Sequence, residues 1–276
     1  MIDGRRDFKL PQTREGGGVG QMCTLVILRR SGHCWPVLIG ANRDEMVNRP
    51  SKPPGRHWPD RPEVIAGLDM LAGGSWLGIN DWGVVVAVLN RHGSLGPSPG
   101  QRSRGELVLE ALDHADAIAA AEALSDLDPE AYRTFNLIIA DESHGFWLRH
   151  AGDARIELKP LKEGLSMIAA GDLDDLTTRR LELALPAFRA WPTPDPDHDD
   201  WSGWQSLLGS TRAPPSEPPT AAMRFVLDGY GTVSSAVVAL PARDHPDRRA
   251  VFRFAEWMPH YSPWRDVTDV EPGSRT

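Results

Sequence analysis

No stretch of the 276 residues approaches the roughly 20 consecutive apolar positions that a membrane-spanning helix needs. The first 21, MIDGRRDFKLPQTREGGGVGQ, lack the apolar segment of a secretory signal. Cysteine occurs twice, too rarely for a disulfide framework, which points to a reducing compartment. Positive charge is in deficit. Thirty Lys and Arg against 38 Asp and Glu give a net charge of −8, which argues against a nucleic-acid-binding face. The nine histidines have no H-E-x-x-H or C-x-x-C companion, so no metal site is expected. The paired glycines lack the Lys-Ser/Thr of a phosphate-binding loop. What is left is a soluble, cytoplasmic chain by expectation, 41% hydrophobic and long enough for a full core.

Within it, β-rich apolar runs alternate with helical patterns. TLVILRR (24–30), CWPVLIGA (34–41), GGSWLGI (73–79), WGVVVAVLN (82–90), FNLIIAD (135–141), GFWLRH (145–150) and ARIELKP (154–160) read as strands. Ser103 and Glu106 have the spacing of a capping box before a helix over 107–124, and 173–191 is amphipathic. Residues 191–222 hold seven prolines and five acids against one Arg, the composition of a long connection or a flap, with one helical turn expected at WQSLLGS. AAMRFVL, TVSSAVVAL and AVFRFAEW return to strands, and 259–276 reads as a tail. Strand blocks followed by helices predict an α+β layered fold.

Ser31-Gly32-His33 makes residues 23–45 a hairpin. A turn centred on Gly32 sets Cys23 opposite Ala41 or Asn42, with Asn42-Arg43-Asp44 emerging beside the thiol. Cys34 falls near the turn, too far from Cys23 for a disulfide. Read locally, this is either a reactive cluster or a small buried cysteine next to an ordinary turn. Trp58, Trp76 and Trp82 lie near the same edge and would wall an apolar, substrate-binding pocket.

Several segments in fixed order resemble a known family: MCTLVIL (22–28), ANRDEMVNRP (41–50), IAGLDMLAGGSWLGINDWGVVVAVLNRH (65–92), SRGELVLEAL (103–112) and FNLIIAD (135–141). They are similar to the NRDE family, also called transport and Golgi organisation protein 2. The likeness is strong over 22–150 and thins to YGTVSSAVVAL (230–240). That family is grouped with the N-terminal nucleophile (Ntn) hydrolases, nearest the choloylglycine and penicillin V acylase branch. The resemblance implies a four-layer αββα sandwich of two antiparallel sheets between helical layers.

It also implies roles. Cys23 would be the nucleophile and its own α-amine the base, a thiol of pKa near 8.5 beside an amine near 8. Asp44 would orient that amine, and Asn90 would help form the oxyanion hole. Arg43 would bind an anionic substrate group or brace Asp44, with Asn42 beside it. The chemistry requires Cys23 as residue one. Glu15-Gly16-Gly17-Gly18 implies purine-rich codons, so the expected start is Met22, with residues 1–21 a disordered extension or a start assigned too far upstream. The domain would then span 22–258, carrying the insert at 191–222.

The chain also departs from the pattern. Gly171 or Asp172 stands where the acylases carry a second asparagine. Leu68 and Val233 replace frequent arginines, for which Arg224 is a stand-in. Two functions stay open. One is a cysteine amidohydrolase acting on a small, partly apolar amide, without a resident cofactor. The other is a non-catalytic handler of haem or lipid/acyl-CoA, as family members are linked to haem trafficking, with Cys23, His57 or His92 as axial ligand. The partner is accordingly a small-molecule substrate or haem, and the oligomeric state is left open.

Overall fold

Strands covered on both faces need apolar residues at nearly every position, and that is how TLVIL and VVAVL are used. The computed structural model describes residues 23–268 except Leu95, Pro97 and Pro246; the expectations for residues 1–21 and for the end of the tail lie outside the described residues. In β1 (Thr24–Arg29), Leu25 and Ile27 enter a central core while Val26 and Leu28 enter an outer one. In β6 (Val85–Asn90), Val85, Ala87 and Leu89 face the central core and Val86 a second outer one.

These strands belong to two seven-stranded antiparallel sheets. The first runs β10 (Gly164–Ile168), β1, β2 (Val37–Met46), β12 (Tyr230–Leu240), β13 (Val251–Glu256), β14 (Ser262–Asp266), with β11 (Val226–Leu227) on β12. The second is a meander of β3 (Ser51–Gly55), β4 (Val64–Asp69), β5 (Leu77–Asn80), β6, β7 (Phe135–Ala140), β8 (Gly145–His150) and β9 (Glu157–Pro160). Helices α1 (Gly105–Leu112) and α2 (Ala117–Ser125) cover the second sheet; α3 (Arg179–Ala190) and α4 (Ser202–Leu208) cover the first. The αββα sandwich is present.

Details differ from expectation for local reasons. The first hairpin has a longer turn, closed by Arg30 N donating to Pro36 O at 2.9 Å, so Thr24 pairs with Asn42. Extending that register one step sets Cys23 opposite Arg43 rather than Ala41 or Asn42. The helix expected over 107–124 breaks, because Asp116 caps a new one by accepting from Ala119 N at 2.8 Å. The capping box does not form: Glu106 accepts from Arg102, and Ser103 Oγ accepts from Gly105 N. Within 191–222 the helical turn expected at WQSLLGS is α4, and it is anchored by Trp204 and Leu208, both fully buried. The tail contributes β14, and of AAMRFVL only Val226–Leu227 is strand. Strands β3, β4 and β10 were not apparent in the sequence.

One close approach fixes the edge where the cysteine lies. Gly74 meets Gly105, the first residue of α1, backbone to backbone, and Ser75 N donates to Gly105 O at 3.0 Å. A Cβ on Gly74 would come within 2.4 Å of the Gly105 carbonyl carbon. Neighbouring Gly73 is glycine for another reason, a φ of +74° with open space around it. Gly74→Ala is therefore expected to cost about 1–3 kcal/mol or more, because backbone rather than a side-chain tip must move. A lowered urea midpoint with unchanged m-value is the measurement, and an unchanged midpoint would refute the contact.

Candidate functional site

Antiparallel alternation splits Asn42-Arg43-Asp44 between two faces of the first sheet. Arg43 pairs with Ser234 of β12 and, with Cys23, points between the sheets. There the three residues line a narrow cleft with a cavity volume of about 20 Å³, with Leu25, Ala41, Trp76, Leu77 and Leu89 as apolar walls. The Arg43 guanidinium lies 4.2 Å over the Trp76 ring, donates to Ser51 Oγ at 3.1 Å and stands 3.7 Å from Glu45.

The other face holds a buried polar network. Asp44 takes a 2.6 Å bond from Arg180 of α3, both side chains fully enclosed, and a 2.7 Å bond from Thr232 Oγ1. Arg180 also donates to Thr24 Oγ1 at 2.9 Å and to Thr220 O at 3.0 Å. A β-bulge between Thr232 and Ser234 makes this possible, turning Thr232 towards Asp44 while Ser234 stays on the cleft. Asn42 is buried beside them. Its amide donates to Leu208 O at 3.0 Å and Met223 O at 2.8 Å, and Ser235 donates to its oxygen. Asn42 therefore ties β2 to the outer layer, and its amide is not offered to the cleft.

The thiol lies between these faces. Cys23 Sγ donates to the Asp44 carbonyl oxygen at 3.6 Å. Burial first, then the Asp44 charge, push the thiol up to about 12. Burial likewise raises the Asp44 carboxyl, against the pull of Arg180 and Thr232. Tyr230 is close enough to feel both charges; burial raises its phenol further, and its hydroxyl has no partner among the described residues.

Of the expected tryptophans only Trp76 lines the cleft. Trp58 packs with the outer core of the second sheet and donates to Gly73 O at 3.1 Å. Trp82 sits in the β5–β6 turn, 45% exposed, at the opposite end of those strands. Asn90 closes β6 opposite Phe135, one residue beyond the cleft-lining Leu89, and is not itself among the lining residues. Where a second asparagine was sought, Asp172 accepts from Arg91 at 2.6 Å and Arg149 at 3.0 Å. Against the push of burial, those bonds hold its carboxyl below the ordinary range. Arg224 is engaged with Gly209 O and stacks on Trp257, so it is no cleft residue.

Sequence reasoning missed Arg180 and Asn136. Arg180 lies on the same stripe of α3 as Ala184 and Phe188, a cation on an apolar face, which was a readable signal. Asn136 is a lone amide inside FNLIIA. It donates to Ala169 O and Gly171 O and accepts from Trp147 and Arg91, joining the two sheets.

Comparison with known proteins fits this geometry. The profile of the transport and Golgi organisation 2 family matches residues 22–245. The chain belongs to that family. The mouse and human transport and Golgi organization 2 homologs are 39% and 37% identical over 119 residues, which is 41% of this chain and 41% of each relative. Among solved structures, penicillin V acylase from Agrobacterium tumefaciens matches with a TM-score of 0.54 at 15% identity, over 90% of this chain and 87% of that one. The N-acylethanolamine-hydrolyzing acid amidase ortholog of Caenorhabditis elegans matches at 0.52 and 14%, over 82% and 96%. A variant of conjugated bile acid hydrolase from Clostridium perfringens matches at 0.50 and 12%, over 88% and 92%. The family member thus has the Ntn-hydrolase fold of these acylases. Among the described residues no helix is long and apolar enough to cross a membrane, and no cluster of three or more His, Cys, Asp or Glu is placed to hold a metal ion.

Two outcomes follow from this electrostatics. Alkylation of Cys23 in the full chain should rise about tenfold per pH unit, without a plateau until about 12. A plateau near the ordinary thiol value would contradict the burial. Arg180→Met should cost about 3–5 kcal/mol in urea unfolding, because it strands a buried carboxylate, and Asp44→Asn added to it should recover part of that loss. Equal costs for the single and double variants would show that the pair is not coupled.

Proposed function

We propose that this protein is an N-terminal-nucleophile cysteine amidohydrolase acting on a small, partly apolar amide, active once Cys23 carries a free α-amine. The observation that carries the reading is the Cys23 thiol at the head of β1, opening onto an apolar cleft between the sheets of an Ntn-hydrolase fold. The freed amine takes the thiol proton, and the sulfur attacks the amide carbonyl. Asp44, held by Arg180 and Thr232, orients the amine; Asn90 with a backbone N–H receives the oxyanion. The ammonium returns that proton to the amide nitrogen as the C–N bond breaks and the product amine leaves, and the thioester is then hydrolysed by water activated by the regenerated amine, releasing the acid and the free thiol. Arg43 and Trp76 are the polar and apolar walls that position the amide.

The carrier reading has less support. The cleft, with a cavity volume of about 20 Å³, is far too small for haem, and His57 Nε2 already lies 2.8 Å from the Pro53 carbonyl oxygen. Protein translated from Met22, so that initiator removal exposes Cys23, provides the test against a panel of acyl amides. Cys23→Ala should abolish turnover, Cys23→Ser should retain a fraction, and Asn90→Ala should lower kcat about 10²–10³-fold. Haem bound tightly and lost in Cys23→Ala, with no turnover of any amide, would replace the hydrolase with the carrier. An unchanged kcat in Asn90→Ala would remove that residue from the oxyanion hole.

A further inference from the structure

Arg104, in the SRGE segment, is used neither by the fold core nor by the chemistry above. It directly precedes α1, where the contact of Gly105 with Gly74 and Ser75 holds it next to the segment bearing Trp76. Its Nη1 donates to Ser94 Oγ at 2.7 Å and to Thr134 O at 3.0 Å. Thr134 precedes the residue that pairs with Asn90, so the guanidinium is fixed at the cleft end of β6 and β7.

Both of its partners are neutral. The carboxylates of this edge are taken by other arginines: Asp69 by Arg49 at 2.7 Å, and Glu45 by Arg49 at 3.6 Å and Arg43 at 3.7 Å. Among the described residues none is left to pair with Arg104. Burial and the neighbouring Arg133 lower its pKa to about 10, while Cys23 and Glu45 lie near enough for their charges to act on it. A partly buried cation without a counter-ion, beside a nucleophile, stabilises any anion brought to it.

We infer that Arg104 is an anion-binding residue at the mouth of the Cys23 cleft. The inference about substrate rests on the hydrolase reading: the amide cleaved carries a carboxylate, or a group of like charge, near its scissile bond. Arg43 differs from Arg104 in this respect, being already matched by Glu45 and stacked on Trp76.

Two small alkylating agents that differ by one charge test this without any turnover. Full-length protein carrying Cys34→Ala is labelled at Cys23 with iodoacetate and with iodoacetamide, below the Arg104 pKa of about 10. The iodoacetate-to-iodoacetamide rate ratio is expected to fall on the order of tenfold in Arg104→Met and to be largely kept in Arg104→Lys. An unaltered iodoacetamide rate reports that the cleft is intact. A ratio unmoved by Arg104→Met, a fall seen only in Arg43→Met, or a Cys23 that neither reagent reaches would overturn the inference. A ratio that falls in Arg104→Met while no acyl amide is hydrolysed keeps the anion site and discards the hydrolase.

Discussion

The Asp44–Arg180 pair is the interaction on which the site depends. It joins β2 to α3, and through Thr24, Thr232 and Thr220 it also reaches β1, β12 and the segment before β11. A buried ion pair adds little net stability over an apolar replacement, since desolvation offsets the attraction. What it does here is directional. Two charges that cannot be left unpaired force the ends of three strands and a helix into one arrangement, at the point where Cys23 enters the sheet. The bulge in β12 belongs to the same constraint, because without it Thr232 and Ser234 would share a face.

A second constraint comes from the other sheet. Gly74 and Gly105 touch through their backbones, so the GGSW and SRGE segments act as one joint although thirty residues separate them. The joint sets the height of Trp76, and the Arg43 guanidinium rests on that indole. The cleft is therefore bounded by one wall fixed through charge and another fixed through steric closeness. The second wall is a connecting segment, the one between β4 and β5, but the backbone contact of Gly74 with Gly105 pins it to the start of α1.

Much of this was legible in the sequence, and what was hidden has a physical cause. The apolar runs of β1, β6, β7 and β12 announced themselves because both faces are buried. Strand β3 is SKPPG, and prolines demote a segment to loop in any local reading. The break at 113–116, Asp-His-Ala-Asp, lies inside an alanine-rich run, and its signal was Asp116, a residue type that favours the N-cap over the helix interior. The hairpin about Gly32 brought Cys23 and Asp44 to one sheet edge although 21 residues separate them, and only their expected roles came from the resemblance. The three tryptophans were grouped by nearness in sequence; Trp82 sits in a hairpin turn, and a turn reverses which end of the sheet a residue occupies. Arg180 needed tertiary information, because only the partner on β2 explains a charge on an apolar helix stripe.

The height of the thiol pKa bears on how such a site would be controlled. With Cys23 in an internal peptide bond, its nitrogen is an amide and offers no base. A thiol pushed up to about 12 is then ionised to only about one part in 10⁵ at neutral pH. Of the two causes of that value, burial disfavours a charge on sulfur or nitrogen alike, whereas the Asp44 carboxylate repels a thiolate but attracts an ammonium. Cleavage of one peptide bond before Cys23 thus converts a repulsive environment into a complementary one. In the proposed chemistry the proton leaves sulfur for nitrogen, and the charge that forms there is opposite in sign to the Asp44 carboxylate.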